Sequence, residues 1–77
     1  MIKLYHYLLT RGYLLENYWG EKSFSFKKVN GDWSKSIYIS KYSKEYEVNI
    51  IEGLSNIIKT RNIKVKTYKE VIELIKL

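Results

Sequence analysis

A chain of 77 residues with a net charge of +6 fits one domain, spanning residues 1–77, and buries only roughly 60–65% of the surface its unfolded form exposes. With 45% hydrophobic and 16% aromatic residues it is too apolar for a disordered tail. The absence of Cys excludes a disulfide framework, a thiolate-zinc site and a thiol nucleophile, and no apolar run is long enough for a membrane span or a signal-peptide core, so a soluble, cytoplasmic protein without membrane contact is expected.

Along the chain, residues 2–11 are apolar at Ile2, Leu4, Tyr5, Tyr7, Leu8 and Leu9. That spacing favours a helix closed by Gly12, with a strand through Ile2, Leu4, His6 and Leu8 as the alternative. The stretch Tyr13–Trp19 reads as a loop or short turn, with Trp19 filling a gap in the core. Ser23–Val29 and Trp33–Tyr42 flank Asn30-Gly31-Asp32, a strong hairpin signal. A two- or four-residue loop puts Phe24 and Phe26 on the face of Ile37 and Ile39, whereas a three-residue loop sets Phe24 opposite Tyr38, so the first register is predicted. A turn at Ser43-Lys44 then brings Ile39 opposite Val48 and Ile37 opposite Ile50, and the two hairpins agree on one apolar face.

Residues 52–60 are compatible with a helical turn or a short extra hairpin. Asn62–Thr67 alternates as a fourth strand with Ile63 and Val65 inward and Lys64 and Lys66 outward. Thr67 and Glu70 have the spacing of a capping box, and Tyr68, Val71, Ile72 and Ile75 form the stripe of an amphipathic helix. The expected fold is α+β: an antiparallel meander of about four strands, with an N-terminal and a C-terminal helix packed on one face.

Charge is uneven. Residues 21–44 and 59–77 each carry a net +4, and residues 45–58 a net −3. Lys64 and Lys66 are expected to join Lys27 and Lys35 in one basic patch, with Tyr38 and Tyr42 as stacking platforms and Trp33 at a hairpin tip as a further contact residue. Glu45 and Glu47 oppose a nucleic-acid role for that face, as does the ratio of 12 Lys to 2 Arg. Outward lysines on strands also serve simply to prevent edge-to-edge aggregation. The positive charge excludes global mimicry of the DNA backbone.

Catalytic chemistry is not expected. The single His, His6, lies in an apolar segment, isolated glycines form no phosphate loop, no transition-metal cluster can be assembled from one His without Cys, and no cofactor is expected. Glu45 and Glu47 read as solvated strand charges rather than an acid–base pair.

Ile, Lys, Tyr and Asn make up 35 of 77 residues, while Ala, Gln, Pro and Cys are absent, a bias that points to a gene of low G+C content. In size and composition the whole chain resembles the small proteins that phages encode against host defence, such as anti-CRISPR proteins, although no motif carries the likeness. That resemblance implies a non-enzymatic inhibitor that docks on a host protein or ribonucleoprotein complex and blocks it sterically. Two alternatives stand beside it: a small basic DNA- or RNA-binding regulator, and a structural subunit that forms a homodimer.

Overall fold

The computed structural model describes residues 1–76. Its elements in chain order are α1 (Ile2–Thr10), β1 (Leu14–Gly20), β2 (Ser23–Asn30), β3 (Trp33–Lys41), β4 (Tyr46–Leu54), β5 (Ile57–Val65) and α2 (Tyr68–Lys76). The fold is α+β, an antiparallel sheet in the order β1-β2-β3-β4-β5 with a helix before it and a helix after it.

The central register follows the apolar alternation. Phe24 pairs with Ile39 and Phe26 with Ile37, and the same two isoleucines meet Val48 and Ile50 on the other side. All six side chains are buried on one face, each contributing roughly 1.5–3 kcal/mol of hydrophobic stabilisation. Gly31 makes the two-residue β2–β3 turn possible, because its φ of +63° is costly for a side chain with a Cβ.

Both helices lie over this apolar face. From α1, Leu4 and Leu8 are buried and the Tyr5 ring meets Phe24 and Phe26 edge-on at 5.5 and 5.1 Å. From α2, Val71 and Ile75 complete the same core, with Tyr68, Ile72 and Leu74 packed against it. Gly12, at φ +85°, closes α1 as predicted: its amide donates to the Leu9 carbonyl and that of Tyr13 to the Leu8 carbonyl, and Tyr13 itself is buried. The capping box at the start of α2 forms, the Glu70 amide donating to Thr67 Oγ1 and the Thr67 amide to Glu70 Oε1, each at 3.2 Å.

The strand count departs from expectation, with five strands instead of about four. Residues 14–20 form a strand, not a loop, and its alternation is hidden by two β-bulges. Between Leu15 and Asn17, and again between Tyr18 and Gly20, the register with β2 shifts by one residue. Leu15 and Tyr18, three apart, therefore both sit on the helix side, opposite Phe26 and Phe24. The fourth predicted strand also begins earlier, at Ile57, so residues 52–60 hold the tight β4–β5 hairpin.

Candidate interaction surface

The sheet has one face covered by helices and one without a helix. The open face is built from alternate residues of β2 to β5: Ser25 and Lys27, Ser36 and Tyr38, Glu47 and Asn49, Asn62 and Lys64. Short polar side chains hold it together. Asn17 Nδ2 donates to Ser25 Oγ at 3.2 Å, the Ser23 and Ser40 hydroxyls meet at 3.1 Å, and Asn62 Nδ2 bonds to Asn49 Oδ1 as well as to Glu47 at 3.0 Å.

On this face Trp19 stacks on Tyr38, with ring centroids 6.3 Å apart and planes 23° from parallel. Trp19 remains 62% exposed, so it is not the core plug expected from its size. The second bulge of β1 explains its position: Trp19 falls at the register shift between Tyr18 and Gly20 and is turned away from the helices.

Of the expected contact residues, Lys35 needs correction. It is 4% exposed and lies under α2, its Nζ donating to the carbonyl of Ile75 at 2.8 Å. The strand alternation dictates this, since Lys35 shares the parity of Ile37 and Ile39. Burial pulls its ammonium below the ordinary lysine value, with Glu52 opposing that shift. Its cross-strand neighbour Lys28 donates to the carbonyl of Arg11 at 3.0 Å. The two ammonium groups thus part, one to the negative end of each helix, where cations are stabilising.

The remaining basic residues do not form one patch. Lys27 lies 4.0 Å from Glu16, whereas Lys64 is three strands away and faces Glu47 across β4. Strand spacing and rise put the two lysines about 20 Å apart. Lys66 is exposed but follows the end of β5. Trp33 is half-buried on the helix side, where its indole N–H donates to Glu52 Oε2 at 3.0 Å. Tyr42 is exposed and donates its hydroxyl to Glu47 Oε1 at 3.2 Å. That bond raises the Tyr42 phenol above its usual range, and the bonds from Asn62 and Tyr42 hold the Glu47 carboxyl below its own.

A cleft of about 920 Å³ opens between α1 and β1, floored by Tyr5, Leu15, Tyr18 and Phe24 with Lys22 and Lys41 at its margin. His6 lines the cleft but is exposed and meets the Tyr5 ring edge-on. Among the described residues no group of three or more His, Cys, Asp or Glu is placed to hold a metal ion, and no helix is long and apolar enough to cross a membrane. Comparison with protein-family models, curated proteins and solved structures finds no match.

Proposed function

We propose that the protein is a non-enzymatic binding protein, of the kind that phages or mobile elements direct against host defence, and that it docks on a ribonucleoprotein complex and blocks it sterically. The observation that carries this is the exposed Trp19–Tyr38 stack on the helix-free face. Trp and Tyr dominate binding energy at interfaces, and a stacked pair is already held in place before a partner arrives. Direct nucleic-acid binding has less support, because the lysines expected to line one phosphate track are dispersed and one of them is buried.

The test is target-DNA cleavage by a panel of RNA-guided nuclease complexes from low-G+C bacteria, with and without the protein. Inhibition by the wild type that Trp19→Ala abolishes, with the circular dichroism spectrum unchanged, is the expected result. Full cleavage across the panel at saturating protein would remove this function.

A further inference from the structure

Two sheet edges are open, and they differ. β1 is broken by two bulges, a common protection against further pairing. β5 pairs with β4 without any shift from Leu54↔Ile57 to Tyr46↔Val65, and no strand lies on its other side. Nine regular residues, about 30 Å of backbone, are available there for a further strand.

The chemistry of this edge selects what can add to it. Lys59, Arg61 and Lys64 lie on β5, and residues 53–69 contain no Asp or Glu. The carboxylates cross-strand from β5 take their hydrogen bonds elsewhere, Glu52 from the Trp33 indole and Glu47 from Tyr42 and Asn62, and keep their charge. Among the described residues none of the three β5 cations has a carboxylate within 4.0 Å. A second copy of β5 would bring two rows of cations together, which disfavours self-pairing. A nucleic-acid backbone fits poorly as well, since Lys59 and Arg61 project to the helix side of the sheet and Lys64 to the other. An added strand alternates in the same way.

We propose that the β5 edge accepts an extended acidic segment of the partner protein as a sixth, antiparallel strand. This rests on the docking role above and names the partner's chemistry. Cross-strand pairing sets the pattern of the segment: carboxylates opposite Lys64, Arg61 and Lys59, and apolar side chains opposite Ile63 and Ile58. In the direction of the incoming chain it reads acidic, apolar, polar, acidic, polar, acidic, apolar.

The probe is a capped heptapeptide, Glu-Val-Thr-Glu-Thr-Glu-Val, titrated into ¹⁵N-labelled full-length protein at low salt. Amide shifts concentrated on residues 57–65 are expected, with saturation in the sub-millimolar range. Lys59→Gln/Lys64→Gln should weaken binding about three- to tenfold, and an isomer with its three Glu contiguous should bind at least about threefold less tightly. Both substituted lysines are exposed, so the fold should survive, and an unchanged core spectrum checks this. The proposal is overturned by silence on β5, by equal binding of the isomer, or by stronger β5 shifts from a ten-nucleotide single-stranded DNA. Broadening of β5 with protein concentration alone overturns it in favour of a second copy. Nuclease inhibition retained by a variant that no longer binds the peptide refutes the edge site and leaves the inhibitor function standing. Peptide binding without nuclease inhibition does the reverse.

Discussion

Replacing Lys35 probes how a charged residue is accommodated beneath α2. Lys35→Ala deletes three buried methylenes at about 0.8 kcal/mol each, so packing alone accounts for roughly 2.4 kcal/mol. The charge-assisted bond to the Ile75 carbonyl contributes about 1.5–3 kcal/mol, and desolvation of the ammonium costs an amount of similar order. These two nearly cancel. Lys35→Ala should therefore lose roughly 2–3 kcal/mol, and Lys35→Met, which keeps the length of the stem, less than about 1 kcal/mol.

The sign of the pH dependence follows from the lowered pKa. Between the depressed folded value and 10.5 the unfolded chain holds a proton that the folded chain has released, so stability rises with pH through that window. Tyr13, raised by burial, and Tyr42, raised by its bond to Glu47, oppose this as pH approaches and passes 10.0, at the top of that window. Urea denaturation at about pH 7 and about pH 9.5 should show an upward increment in the wild type that Lys35→Met lacks. A loss below about 0.5 kcal/mol for Lys35→Ala, typical of surface substitutions, would refute the buried assignment. A Met variant as unstable as the Ala variant would show that the ammonium, not the stem, holds α2.

Two further predictions concern the sheet and the second helix. Phe26→Ala should cost about 2–5 kcal/mol and Lys64→Ala less than about 0.5 kcal/mol by the same denaturation assay, since one is fully buried and the other exposed. Thr67→Ala should cost about 0.5–2 kcal/mol by removing the hydroxyl that accepts the Glu70 amide; hydrogen exchange should show faster opening confined to the start of α2.

Much of the architecture was legible because the central strands obey period two. The centres of β2, β3 and β4 alternate through Phe24, Phe26, Ile37, Ile39, Val48 and Ile50, and only one register places all six on the same side. The capping box and the Gly12 helix end were equally readable, because each depends on neighbours a few residues away. β1 was not, because its inward residues Leu15 and Tyr18 are three apart. A bulge is invisible without the partner strand that defines it. Lys35 was accessible to the same arithmetic as Ile37 and Ile39, yet its charge argued for solvent; only the helix carbonyl above it makes burial tolerable.

The candidate surface divides along the same line. Local patterning placed Tyr38, Lys27 and Lys64 on the side away from the helices, since alternation along a strand is enough to assign a face. Bringing Trp19 onto Tyr38, separating Lys27 from Lys64 and leaving the β5 cations without carboxylate partners required the full strand order. The amino-acid order alone determines which side chains share a face. Which of them become neighbours is decided by long-range pairing, because residues from distant parts of the chain meet only when the sheet has closed.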